Sequence, residues 1–342
     1  MKLTHEIVTL RTKNPFFISR GGASEYRVVR ITVTDRDGAT GWGEAAPSAF
    51  YGETADTVVG VLPILASAIA GMDSWSLEAM EHALKGPIRF NGAARAGVSA
   101  ALHDLVGKRL GIPVYRLWGL DPAASPRTSF TIGIAPDEKT LRQRMEEAQQ
   151  YPVLKIKLGS TWDERIVRVV RELVPDKVLR VDANAAWTPK STLRIVPLLQ
   201  ELGVEFVEQP LPPGDIAGLR FVRERSALPI IADESCLVSG DIPKLAGVVD
   251  GINIKLAKCG GLREALRMIA TARAHDMMVM AGCMIESSLG ITAACHFAPL
   301  LDCADFDGHA LVSNDPFVGA TIDEGVIRLP EGPGLGVDAR TR

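Results

Sequence analysis

In the second part of this 342-residue chain, short apolar runs rich in β-branched residues recur, each closing near an ionisable side chain at nearly even spacing. The runs are Phe130–Ile134, Val153–Ile156, Val178–Val181, Val204–Val207, Ile230–Ala232, Gly251–Ile254 and Met277–Met280. Their ends fall at Lys157, Asp182, Glu208, Asp233 and Lys255, then at a break near Gly282, then at Asp305, with intervals of 25, 26, 25, 22, 27 and 23 residues. A strand, a turn, a helix of about three turns and a return loop consume this much chain, and such units in series close into a barrel. Groups at the carboxyl ends of barrel strands then face one mouth. A lone aspartate in such a place reads as a strand end or a helix cap, but ionisable groups in phase on five successive runs point to a site. Too little chain remains after Asp315 for another full unit, and Val326 to Leu329 is expected to return as a strand to the first domain.

The part before the barrel has a different pattern. Residues 26–34 alternate, a turn follows at Asp35 to Gly38, and Ala39 to Glu44 resumes an extended pattern, which predicts an antiparallel hairpin or meander. From Thr54 to about Leu110 the periodicity is helical, most clearly over Ala93 to Lys108. The expected organisation is an α+β unit over residues 1–120, a barrel over 121–314 and a C-terminal segment over 315–342. The longest uncharged stretch, Thr57 to Met72, contains Pro63 and falls short of the ~20 residues a membrane span needs. A buried helix capped near Thr54 or Asp56 is expected there.

Composition removes several function classes. A hydrophobic content of 46% supplies a sizeable core, and 38 basic against 41 acidic side chains leave no positive excess to attract nucleic acid. Five cysteines, with no C-x-x-C pair, read as reduced and mostly buried thiols. The N-terminus lacks the apolar core of a secretory signal, so a cytoplasmic protein without membrane partners is expected.

Asp182, Glu208 and Asp233 would bring three carboxylates together at distances that only a cation makes tolerable. Mg²⁺ suits an all-oxygen set, whereas Zn²⁺ normally enlists His or Cys, which no strand end supplies. By position His296 and His309 lie near the mouth, without ligand spacing. Lysines flank the acidic group, Lys155 and Lys157 on one side and Lys255 and Lys258 on the other. In a strand Lys155 and Lys157 share a face, so each should depress the pKa of the other toward the range of a base. Removing a proton beside a carboxylate creates an enediolate, whose charge a divalent cation and a facing lysine can neutralise.

The segments Lys155-Ile156-Lys157, Val181-Asp182-Ala183-Asn184, Val207-Glu208-Gln209-Pro210, Ala232-Asp233-Glu234-Ser235 and Asn253-Ile254-Lys255-Leu256-Ala257-Lys258 together resemble the enolase superfamily, in its muconate-lactonising subgroup. The resemblance implies a (β/α)7β TIM-like barrel with an N-terminal α+β capping domain that includes Gly41-Trp42-Gly43-Glu44. It implies that Asp182, Glu208 and Asp233 bind Mg²⁺, that Lys157 and Lys255 are the two acid/base groups, and that Lys155 tunes its neighbour. Asp305-Phe306-Asp307-Gly308, with Gly282-Cys283-Met284 before it, resembles the pattern of dipeptide epimerases, in which the D-x-D pair receives an ammonium group. The loop at residues 16–25 resembles a mobile lid, with Ile18 and Arg20 as candidate contacts to the second side chain of the dipeptide and Met284 as a further substrate contact. An L-Ala-D/L-Glu type dipeptide is the first expectation. Ala23 stands where Ala-Glu enzymes carry an additional arginine, and His309 replaces the proline expected after Asp-Gly. The alternatives on the same fold are o-succinylbenzoate synthase or muconate cycloisomerase chemistry and a non-catalytic metal- or ligand-binding barrel. Related barrels are often homo-oligomers, which leaves self-association open for this chain.

Overall fold

A computed structural model describes residues 1–341. The chain opens with three antiparallel strands, β1 (Lys2–Ile18), β2 (Gly21–Thr34) and β3 (Thr40–Ala45), in the order β1-β2-β3. Helices Ala55–Ala68, Leu77–Lys85 and Gly92–Leu110 follow and pack their apolar faces on this sheet, around Ile31, Val33, Leu65, Leu102 and Leu105. The first of these helices stands where a buried one was expected, but only one face is buried: Val58, Leu62 and Leu65 turn inward, while Pro63 and Ile64 are exposed. Thr54 caps it in a reciprocal box with Thr57, which satisfies two backbone donors that the first turn leaves free. Gly41 and Gly43 let β3 lie directly on the third helix: a Cβ on either would fall about 2 Å from a helix carbonyl, at 2.0 Å from that of Ala101 and 2.1 Å from that of Gly97.

The remaining chain forms eight parallel strands: β4 (Phe130–Ile132), β5 (Val153–Lys157), β6 (Val178–Asp182), β7 (Val204–Glu208), β8 (Ile230–Ala232), β9 (Gly251–Ile254), β10 (Met278–Gly282) and β11 (Cys303–Asp305). Each lies beside the next in sequence order. The bridge Thr128 to Ala304, with the Ser129 N–H donating to the Ala304 carbonyl at 3.0 Å, joins the two ends and closes the barrel. Seven helical connections link eight strands, so the fold is (β/α)7β with an α+β unit ahead of it. β4 departs from expectation: it ends at Ile132, two residues early, because the Ile134 N–H bonds to the Phe17 carbonyl of the first unit rather than to a neighbouring barrel strand.

Strand periodicity then sorts the side chains. Alternate residues point into the barrel, so Phe206, Ile231, Met280 and Cys303 fill its lower interior. One step of two residues further along, register places Lys157 beside Asp182, Asp182 beside Glu208, and Gly282 beside Asp305. The expected strand ends converge at the mouth, although the register steps by two residues at β7–β8, where Glu208 lies beside Ile231, so that strand tilt and not register alone brings Asp233 to Asp182 and Glu208.

Two placements differ from the sequence reading. Val326–Arg328 pairs with Thr321–Asp323 in a local hairpin and not with the first-domain sheet; the C-terminal segment reaches that unit instead through Leu335, whose N–H donates to Asp104 at 2.8 Å. His296 lies away from the mouth, because the helix Ser288–Cys295 that precedes it runs back down the barrel. There it accepts from the Tyr115 N–H at 3.2 Å and lies 3.2 Å from the Leu335 carbonyl. No described helix is long and apolar enough to cross a membrane. All five cysteines are free thiols, four of them buried and Cys283 partly exposed.

Candidate active site

One oxygen from each of Asp182, Glu208 and Asp233 lies within 4.8 Å of those of the other two, and all three side chains are buried. Lysines surround them. Lys155 Nζ stands 2.7 Å from Glu208, 2.9 Å from Asp305 and 3.3 Å from Asp182. Lys157 donates to Asp182 at 2.6 Å, and Lys255 donates to Asp233 at 2.7 Å. Because β5 and β9 are four positions apart in an eight-strand ring, Lys157 and Lys255 approach the centre from opposite walls.

Burial opposes ionisation throughout this cluster, and neighbouring charge decides each outcome. At Asp182 the charges of Lys157 and Lys155 overcome burial and lower the carboxyl to about 2. Lys255 and Lys258 likewise hold Asp233 well below the usual carboxylate range. At Glu208 burial and the charge of Asp182 win, and the carboxyl rises to about 7. Three carboxylates of which one is driven toward its neutral form are a set completed by a cation. The buried side-chain Oδ1 atoms of Asn184 and Asn253 and one oxygen of Glu234, beside this cluster, have no hydrogen-bond partner. An all-oxygen donor set with spare acceptors around it fits Mg²⁺.

The expected depression of Lys155 is not found. Burial alone would lower it, but the charges of Asp305, Glu208 and Asp182 outweigh burial and raise it well above the ordinary lysine value. Sequence spacing showed the like charge on Lys157 and not the three carboxylates that converge from other strands. Asp233 raises Lys255 in the same way, against burial.

The mouth opens into a cavity of about 320 Å³ whose walls include Lys155, Lys157, Lys255, Asp305 and Asp307 below and Ile18, Arg20 and Met284 above. Every expected substrate contact thus borders one space. Gly282 explains the break in the ionisable series, since a Cβ there would press on Asn253 at 3.1 Å and on the Lys255 Cε at 3.4 Å. The two aspartates of the D-x-D pair differ. Asp305 is saturated by Lys155, Ser129 Oγ at 2.6 Å and Thr131 Oγ1 at 3.1 Å. Asp307 accepts from the Thr131 N–H at 2.5 Å, and burial followed by the charge of Asp305 pushes it up to about 7.

The expected lid is the tip of the β1–β2 hairpin, with Ser19 and Arg20 at the turn. Arg20 donates to the Asn184 carbonyl at 2.7 Å, pairs with Glu234 at 2.8 Å and stacks over Phe50 with its guanidinium carbon 4.1 Å from the ring centroid. A second link between the two units joins β3 to the segment after β10. Glu44 accepts from the Ser287 N–H at 2.9 Å and from its hydroxyl, and burial raises the Glu44 carboxyl to about 8. His309 does not border the cavity.

The sequence reading assigned no role to several groups that hold the site. Lys258 donates to Asp233 Oδ1 at 2.5 Å and to three backbone carbonyls. Asn253 donates to Glu208 at 2.8 Å, and Gln209 accepts from the Asp233 N–H at 2.9 Å. Alternation along β9 was a usable signal for Asn253, which lies two residues before Lys255, and Gln209 stood in the segment Val207-Glu208-Gln209-Pro210 that carried the resemblance.

Fold and site together define a barrel with a carboxylate cluster at its mouth, lysines on opposite walls and an α+β unit above. That is the architecture of the enolase superfamily. Residues 138–342 match the model of the enolase C-terminal domain-like family, and residues 2–119 match that of the mandelate racemase / muconate lactonizing enzyme N-terminal domain. The chain belongs to this family. It is similar to the L-Ala-D/L-Glu epimerase of Bacteroides thetaiotaomicron, 38% identical over 338 residues that cover 98% of this chain and 88% of the relative. Its fold matches a substrate-liganded complex of the L-Ala-D/L-Glu epimerase from Bacillus subtilis, with a TM-score of 0.94, 31% identity, and coverage of 99% and 98% of the two chains. It also matches the dipeptide epimerase from Enterococcus faecalis V583 complexed with Mg and L-Leu-L-Tyr, with a TM-score of 0.93, 32% identity and 98% coverage of both chains.

Proposed function

We propose that this chain is a Mg²⁺-dependent dipeptide epimerase that inverts the α-carbon of the C-terminal residue. The observation that carries this reading is the shared cavity, in which two lysines on opposite walls and an under-neutralised aspartate border one space. Relatives named as dipeptide epimerases, one of them complexed with Mg and a dipeptide, support it. Asp182, Glu208 and Asp233 would hold the metal, which when bound neutralises charge developing on the substrate carboxylate. The lysines carry the proton: one, as the neutral amine, takes it from the α-carbon, and the other, as the ammonium, delivers one to the opposite face. Lys155 remains charged between its three carboxylates and fixes Glu208 and Asp305 in place. Asp307 receives the ammonium of the dipeptide, because the oxygens of Asp305 are already held. The first unit, through the hairpin tip, covers the mouth and excludes water.

Asp307 also favours this reading over lactone isomerisation or dehydration of amine-free diacids, since a second carboxylate beside it would be repelled. The test is a dipeptide library incubated in D₂O with enzyme and Mg²⁺ and read by mass. Epimerisation replaces the α-proton with deuterium and shifts the substrate by about one mass unit. A library without any exchanging dipeptide would refute the proposal.

A further inference from the structure

The epimerase reading places the substrate carboxylate at the acidic cluster, the α-carbon between Lys157 and Lys255, and the ammonium at Asp307. Of the two side chains that remain, one stands on the inverted carbon. With the lower walls occupied, it faces the upper wall of the cavity, built from the hairpin and the segment after β10. Ile18, Tyr26, Val28, Pro47, Met284 and Ile285 supply apolar surface there.

Two cations border this part of the cavity, and both are engaged by the protein. Arg20 is held by Glu234, by the Asn184 carbonyl and by the face of Phe50. Glu234 is 1% exposed, and its second oxygen already lacks a partner. Withdrawing Arg20 toward a substrate carboxylate would leave a buried anion without its counter-charge, next to Asp182 and Asp233. Arg27 lies on the rim and is occupied by both oxygens of Asp56, at 2.8 and 3.0 Å. An acidic side chain on the substrate would therefore meet apolar groups, with Arg20 committed to buried Glu234 and Arg27 at the rim shared with Asp56 in an exposed pair.

We infer that the enzyme selects dipeptides with an apolar C-terminal residue over those with an acidic one, and that Arg20 is a positioning residue latching the hairpin to the barrel. This inference rests on the epimerase reading and narrows it. Burying an uncompensated carboxylate instead of a hydrocarbon should separate the two substrate classes by about 100-fold in kcat/KM.

The experiment measures deuterium exchange for L-Ala-L-Leu, L-Ala-L-Met, L-Ala-L-Phe and L-Ala-L-Glu with the wild-type enzyme and with Arg20→Met. The expected wild-type result is about 100-fold higher kcat/KM for the three apolar substrates than for L-Ala-L-Glu. As a latch, Arg20→Met should lower kcat/KM for all four by a similar factor. L-Ala-L-Glu turned over as well as the apolar dipeptides would overturn the inference and leave the epimerase intact. A loss in Arg20→Met confined to L-Ala-L-Glu would make Arg20 a side-chain receptor and overturn it as well. Absence of exchange in every dipeptide would remove the epimerase reading and this inference together. The wild-type comparison stands even if Arg20→Met proves unstable.

Discussion

Replacing Asp307 with asparagine tests how the substrate is oriented. The carboxamide keeps the shape and can still accept from the Thr131 N–H, which lies 2.5 Å from the carboxylate, so the change removes charge with little else. A charge-assisted hydrogen bond to an ammonium contributes about 1.5–3 kcal/mol, and each 1.36 kcal/mol is tenfold. Asp307→Asn should therefore lower kcat/KM by roughly 10- to 150-fold. The pH profile supplies a second readout. Burial and then Asp305 raise the Asp307 carboxyl to about 7, so it is neutral below that pH and anionic above it. Only the anion attracts ammonium, so kcat/KM should climb as pH rises toward 7. It should fall again above ~8 as the substrate α-amine deprotonates. The variant should lose the component of the acid limb that titrates near 7 with Asp307. N-acetylation removes the ammonium from the other side, and wild type should lose a similar factor on an N-acetyl dipeptide. Combining variant and N-acetyl substrate should cost little more than either alone, because both remove one interaction. Stability gives a control: a folded pKa above the unfolded value means that ionised Asp307 opposes folding, progressively as pH rises through 7. At pH 8 the variant should melt at an equal or higher temperature than wild type. Unchanged turnover of the N-acetyl dipeptide, or additive losses, would refute the assignment.

Lys157→Ala should stop exchange from one epimer and leave some from the other, Lys255→Ala should show the mirrored pattern, and both should abolish net epimerisation. Near wild-type epimerisation in either variant, folded by circular dichroism, would exclude that lysine as a base. Exhaustive chelation should abolish exchange, and added Mg²⁺ should restore it and raise the melting temperature by binding to the folded state. Full activity in metal-free protein would sink the metal assignment. Lys258→Met should remove one of the two lysine counter-charges of buried Asp233 and destabilise the protein by about 3 kcal/mol in denaturant titration. A change below about 1 kcal/mol would show that Asp233 does not depend on it.

The barrel and the ionisable layer of its mouth were legible in the chain because both follow from local rules. A strand alternates every residue, a βα unit consumes a nearly fixed length, and parallel register with strand tilt carries strand ends to one mouth. Lys157, Asp182, Glu208, Asp233, Lys255 and Asp305 could be placed from spacing alone, and the resemblance of their flanking segments carried the same residues toward a chemistry. Tertiary structure decided which charge meets which. Lys155 looked like the neighbour of one lysine and is the centre of three carboxylates, so its pKa moves in the opposite direction. Arg20, a candidate substrate contact from the sequence, is paired with Glu234, 214 residues away in sequence, and Lys155 reaches Asp305 and not Asp307. His296 was assigned to the mouth from its place in the chain and packs instead against Tyr115 and Leu335, because helix direction reverses after each strand. Periodicity fixes where a side chain starts. Its protonation and its availability to a ligand depend on electrostatic partners within a few ångströms, and closure of the barrel brings those partners from distant parts of the chain.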